Sequence, residues 1–313
     1  MKIFLLVSFL VFSVFASEIK PFKTYNASSS VVDLIYVDKT LYATTDEGIV
    51  NIFDPKSTKR IGKITVPKVK DFMGDEVNSK IYSIDIINKK IMLLSQTKQG
   101  FRRIHIIDAG KKELIIDASM QLAIAKAKFL DENTLILALL SNELISYDIK
   151  AKKQNWKFQV SGARFSNFVL NEDRSEVIVA DESGDLKVYK TLDASFVKKL
   201  AGKNLDNVFQ VDTKNGVIAT AGQDRRIVIY DEYSAYYKKS SFLIYSVGLS
   251  PSGKRVAYSS DENNNVTVFN TETKENLGVF GGNKMTLTNI VFINEDEFFV
   301  SSDNSLIYLY KIK

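Results

Sequence analysis

One pattern recurs along this chain, and its period constrains the architecture more than any other feature. Each copy is a polar turn rich in Asp, Asn, Ser or Gly, followed by a short alternating strand that closes on an aromatic. The strands end at Phe53, Ile107, Tyr147, Tyr189, Tyr230, Phe269 and Tyr310, the second copy closing on isoleucine instead. Successive steps are 54, 40, 42, 41, 39 and 41 residues, so five of the six match the length of a four-stranded propeller blade. The apolar residues alternate in twos, as in Ile227-Val228-Ile229-Tyr230 and Val266-Thr267-Val268-Phe269. A helical repeat of similar length would place them three and four apart. Upstream of the Phe269 copy, Pro251-Ser252-Gly253 separates two further apolar stretches, a hairpin signal. Outer strands follow the repeats at residues 155–160 and 276–280. The expected fold is all-β: a seven-bladed β-propeller.

The two ends suggest how such a ring closes. The last repeat stops three residues before Lys313, just past a third strand, while residues 19–29 form an orphan strand-like segment ahead of the first inner strand at 31–37. The N-terminal segment is expected to complete the last blade and remove an exposed sheet edge. The three residues after Tyr310 are expected to fray. The long first step carries an insertion at residues 68–80, between the outer strand of blade one and an inner strand starting at Ile81. Connections at that position emerge where the central channel opens. Lys68, Lys70, Asp71, Phe72, Asp75, Glu76 and Lys80 are therefore candidate partner-binding residues. The plain alternative is a tolerated surface loop, since doubling a loop costs only about 0.6 kcal/mol.

Lys2, the apolar run to Phe15 and the Val14-Phe15-Ala16 triplet read as an export signal. As a helix the run is about 20 Å long, too short for a hydrocarbon core of roughly 30 Å. The expected layout is a signal peptide at 1–16 and a single propeller domain at 17–313, periplasmic and monomeric, with no transmembrane segment after cleavage. A retained N-terminal anchor is the alternative. Cysteine is absent, which excludes disulfides, thiolate zinc sites, cysteine-held clusters and a lipoprotein anchor. A net charge of +5 without a basic block gives no reason to expect nucleic acid as a partner.

Candidate chemistry is sparse. His105 is the only histidine and sits in a third strand, where a structural role is expected. Asp181-x-Ser183-Gly184-Asp185 is faintly similar to a calcium loop, but its twelfth position is Leu192 where a glutamate is required, so a turn is expected. Arg225-Arg226 and the tyrosines at 230, 233, 236, 237 and 245 could serve an interface or simply face solvent and neighbouring blades. Residues 120–127 have mixed helical and strand character and read as a linker turn. No phosphate loop, nucleophile elbow or specific carboxylate pair is present. No catalytic residue, metal site or cofactor is expected. At the channel mouth the inner-strand approaches offer Asp33, Ser83, Lys126, Asn167, Asn207, Ser246 and Asn289, a mixed polar ring that joins the insertion as a candidate partner-binding surface.

Ser250-Pro251-Ser252-Gly253-Lys254-Arg255 and Ser259-Ser260-Asp261 resemble WD40 propellers. The chain departs from that pattern in lacking a Gly-His pair and any Trp-Asp strand ending; Trp156 falls in an outer strand. The Asp–His–Ser/Thr–Trp network of full WD40 blades therefore cannot form, and aromatic and β-branched packing is expected to replace it. Taken whole, with its leader and stretches such as Gly222-Gln223-Asp224-Arg225-Arg226-Ile227, the chain is similar to the NapL-type accessory proteins of periplasmic nitrate reductase systems. That resemblance implies a non-catalytic, protein-binding accessory factor supporting maturation or activity of a molybdenum-containing nitrate reductase. The implied partner is that enzyme or its maturation factors. It carries over no catalytic residues. The alternative is an enzymatic or ligand-binding propeller, lactonase- or quinoprotein-like, which would need convergent acid, base or metal ligands in the central channel.

Overall fold

The computed structural model describes residues 18–313; the expected leader at 1–16 lies outside them. The periodic strands pair as seven four-stranded antiparallel sheets, a seven-bladed propeller consistent with the WD40-like class. Blade one is Val31–Val37, Thr40–Thr45, Ile49–Phe53 and Arg60–Thr65, from the channel outward. The inner strands of blades two to six are Ile81–Ile87, Ile124–Asp131, Phe165–Leu170, Val208–Lys214 and Val247–Leu249. Residues 120–127 are thus no linker: a single 3-10 turn at Ala118–Met120 leads into the third inner strand. Because strands alternate in direction, every outer-to-inner and second-to-third connection emerges on one face, here termed the entrance face.

Blade seven contains Leu287–Phe292, Glu297–Ser302 and Leu306–Lys311, and its outer strand is the N-terminal Lys23–Asn26. Lys23 to Asn26 pair in register with Leu309 to Leu306. Farther toward the N-terminus, Ile19 donates its N–H to Val279 and accepts one from Gly281, so the segment also grips the edge of blade six. The expected fraying of the last three residues is overturned. Lys311 still pairs with Glu297, and Ile312 is buried with its N–H on the Asp296 carbonyl at 2.7 Å. A terminal isoleucine with a greasy slot beside it gains more from burial than it loses in chain freedom.

The apolar core is divided. Seven clusters of buried side chains form among the described residues, each shared between two adjacent blades. This follows from the twofold alternation: the second and third strands of a blade bury one face against the preceding blade and the other against the next, so both faces are apolar. The aromatics that close the third strands, including Phe53, Tyr147, Phe269 and Tyr310, are all buried in these layers. Tyr310 stacks on Phe298 with centroids 5.5 Å apart, and Phe280 meets both rings edge-on. Aromatic packing thus fills the interblade space. At Gly248 even a methyl group would lie 2.5 Å from the Ile290 carbonyl, so blades six and seven approach backbone to backbone there.

Candidate functional site

The channel wall is built from one short motif used seven times: apolar, any residue, polar, apolar, at the start of an inner strand or, in blade six, leading into it. The copies begin at Val31, Ile81, Ile124, Phe165, Val208, Ile244 and Leu287. The first and fourth residues of all seven are buried in the interblade layers. Between them the ladder slips. Six inner strands show a register irregularity across the two middle residues, for example between Val31 and Asp33 and between Ile124 and Lys126. In blade six the Ser259 hydroxyl does the equivalent work, accepting the N–H groups of Tyr245 and Ser246. Such a bulge turns two consecutive side chains to the same side, which regular alternation forbids. Both therefore line the channel: Val32 with Asp33, Tyr82 with Ser83, Ala125 with Lys126, Ser166 with Asn167, and Thr288 with Asn289, around a cavity of about 190 Å³.

Five of the seven ring residues expected from the sequence, Asp33, Ser83, Lys126, Asn167 and Asn289, meet in this cavity. Asn207 does not; Gln210 takes the fifth place, and Asn207 sits before the strand, accepting the Ser166 hydroxyl at 2.6 Å. The motif itself would have identified Gln210, since Val208-Phe209-Gln210-Val211 follows it and Asn207 precedes it. Ser246 is fully buried behind the ring and donates to the Gln210 side-chain amide oxygen at 3.1 Å.

Most of these groups tie one blade to another. Asp33 accepts the Ile84 N–H at 3.0 Å, Ser83 donates to the Ala127 carbonyl at 3.0 Å, and Lys126 donates to Asn167 at 2.7 Å. Asn167 continues to the Phe209 carbonyl, Gln210 reaches the Thr288 carbonyl, and Asn289 closes the circle on the Val32 carbonyl. A buried polar group that is satisfied in this way specifies blade spacing and leaves little for a ligand. Lys126 is different. Its ammonium has a single amide partner, and burial, reinforced by repulsion from Lys128, lowers its pKa to about 8 despite the opposing fields of Asp33, Asp212 and Asp85.

On the entrance face the insertion folds into a small hairpin, Val69–Lys70 against Glu76–Val77. Asp71, a candidate partner residue, instead shapes the turn: its carboxylate accepts the N–H groups of Met73 and Asp75, both at 2.9 Å. Val69 is buried at the base, while Arg103 fixes the flanking chain by donating to Ser79 and to the Pro67 carbonyl. The turn thereby holds Phe72 in solvent at 98% exposure and Met73 at 74%. Met73 was not picked out from the sequence; its place beside Phe72 in a polar turn was the available signal. Lys68, Lys70 and Glu76 are exposed, Asp75 is exposed beside the tip, and Lys80 lies over the Tyr82 ring at 5.5 Å. A groove of about 570 Å³ separates the hairpin from the loop holding Lys98–Gly100. Nearer the channel, Phe209 and Tyr245 stack with centroids 5.5 Å apart. Of the crowded tyrosines Tyr230 is buried, Tyr236 and Tyr237 lie on the outer strand, Tyr233 is exposed in the turn on the opposite face, and only Tyr245 reaches this one.

Neither the calcium-loop likeness nor the histidine forms an active constellation. The Asp181 carboxylate is surrounded by protein donors, and among the described residues no three His, Asp or Glu side chains converge. His105 is 5% exposed between Leu93 and Leu114. Burial, with added repulsion from Arg103 and Lys112, pulls its pKa down to about 4. The unfolded chain then takes up this proton first, so stability is retained above pH 6.5 and lost as pH falls toward 4. His105→Leu is expected to remove about 2 to 3 kcal/mol of the acid destabilisation between pH 7 and 4.5. Urea unfolding of both proteins at the two pH values checks this; an unchanged pH dependence in the variant contradicts it.

No protein-family model matches the chain, and no curated protein compared with it matches either. The architecture rests on the strands themselves.

Proposed function

We propose that the protein is an exported, non-catalytic propeller that binds another protein through its entrance face. The observation that supports this most directly is the insertion hairpin: an apolar tip, Phe72 and Met73, held out in water by a turn that the Asp71 carboxylate organises. Exposed aromatic and thioether side chains on a preformed support make binding anchors, because little ordering remains to be done on association. The Phe209–Tyr245 stack and the groove beside the hairpin extend the same surface. The resemblance to NapL-type proteins makes periplasmic nitrate reductase, or a factor that matures it, the partner to test first.

Replacing Phe72 and Met73 together by serine is expected to weaken co-purification with nitrate reductase at least tenfold and to lower its activity in cells. Burial of two such side chains contributes about 1.5–3 kcal/mol each, and every 1.4 kcal/mol is tenfold in affinity. The melting temperature should not move, since the tip supports no core. Charge reversal at Lys68, Lys70 and Lys80 should act on association rate and be sensitive to salt. Full association and activity in the serine variant would remove the hairpin from the interface. Loss of activity in His105→Gln instead would point to a histidine-dependent site.

A further inference from the structure

At the end of the channel opposite the entrance face, we infer a binding site for a small free oxoanion or carboxylate, held by Lys126, Lys128, Arg174 and Lys214. These four cations line one cavity of about 260 Å³, whose carboxylates are only Asp85 and Glu172. The cavity shares Lys126 with the entrance cavity, so that residue stands midway along the channel.

The protein's own groups do not use up these cations. Lys126 donates to Asn167 and has no ion-pair partner among the described residues; its remaining face is toward the Phe168 ring, 5.4 Å from the ammonium. Lys128 donates to the Ile84 carbonyl at 2.7 Å and stands 4.0 Å from Asp85. Lys214 donates to the Thr213 carbonyl at 3.1 Å and lies 3.8 Å from Asp212. An ammonium carries three donors, so each lysine has hydrogen-bonding capacity beyond these contacts. Asp85 has partners of its own, accepting the Phe129 N–H at 2.8 Å and Arg174 at 3.0 Å. Both bonds fall on its Oδ2, and its Oδ1 stands 4.0 Å from the Lys128 ammonium, beyond hydrogen-bond reach. Four cations against two lining carboxylates leave the recess with a net positive charge, which a bound anion would offset.

Size selects a small ligand. A cavity of about 150 Å³ encloses one benzene, so this one has room for phosphate or a four-carbon dicarboxylate and for no folded segment. Lys126 is faced by Lys128 on its own strand, by Asp33 and Asp85 from the first two inner strands, by Asn167 from the fourth and by Asp212 from the fifth. Its pKa of about 8 means that binding should favour the protonated amine and weaken as pH rises from 7 to 9.5.

The test is calorimetric titration of the full folded chain at low ionic strength with inorganic phosphate and, separately, with succinate. Saturable binding of at least one is expected, with a melting temperature that rises in its presence. Lys126→Met should weaken it at least tenfold and flatten its pH dependence. Lys214→Met, at the rim where replacement does not disturb the core, should weaken it severalfold and serves if Lys126→Met unfolds. The exposed Lys254→Met should change nothing. No saturable binding of either anion by the native protein up to 10 mM (about a thousandth of the affinity of a 10 μM site,) overturns the inference. So does binding that survives unchanged in both cavity variants.

Discussion

A chain that begins at Ser30 instead of Glu18 is expected to melt more than about 10 °C below the intact protein, or to fail to fold. The loss begins at Tyr25, which is 1% exposed and packs edge-on against Phe53 of blade one and Phe299 of blade seven. Its hydroxyl donates to the Pro55 carbonyl at 2.8 Å, so one side chain joins the first blade to the last. Removing a buried aromatic of this kind costs about 3–5 kcal/mol. The strand ladder to Leu306–Lys311 and the grip of Ile19 on blade six go with it, at about 1 kcal/mol per hydrogen bond. More than about 6 kcal/mol is thus removed from a fold whose whole stability is of the order of 5–15 kcal/mol, and at this size each kcal/mol is worth about 2 °C. Deleting the three residues after Tyr310 should also destabilise, because Ile312 is buried, but by less. Differential scanning calorimetry of the two truncations and of Tyr25→Ala checks the order. Equal melting temperatures for the intact and N-terminally shortened chains would show that the ring does not depend on this strand.

Asp181→Ala is expected to cost about 3–5 kcal/mol, the loss that follows when a buried ion pair keeps only one partner. The carboxylate is wholly buried at the turn between the second and third strands of blade four. It accepts from Lys187 at 2.8 Å, Ser161 at 2.8 Å, Asn142 of blade three at 2.9 Å and the Ser183 N–H at 3.0 Å. Burial alone would raise its pKa; the bonds from Lys187, Ser183 and Ser161 outweigh that and hold it below the usual carboxylate range. With alanine in its place, Lys187, whose side chain is 13% exposed, keeps a charge with no counter-ion. Adding Lys187→Met to Asp181→Ala should therefore restore part of the stability, and the double-mutant cycle measures the coupling. Additive effects, with no recovery in the double variant, would show that the pair contributes nothing beyond its separate contacts. The same four donors explain why the likeness to a calcium loop leads nowhere: the oxygens a cation would need are already bonded to the protein.

Much of this molecule is written in its residue order. Strand-length alternation, the recurring aromatic ends and the near-constant spacing specify four-stranded blades, their number and the outer strand missing from the last one. These are local or periodic properties, and a twofold pattern that buries both faces has few other solutions. The position of the insertion was legible for the same reason, as a departure from the period. What converges on the channel was not, because convergence depends on bulges that break the alternation. The bulge at Val208-Phe209-Gln210 brings in Gln210 and leaves Asn207 outside, although both are polar and only three residues apart. Nor could chain order show that Asp33, Ser83 and Asn289 bind neighbouring blades while Lys126, on the same ring, has no counter-ion among the described residues. Hydrogen-bond partners come from residues some forty positions away, and in the closing blade from the far end of the chain. Only the closed ring decides which polar groups are satisfied by it and which are left to meet something else.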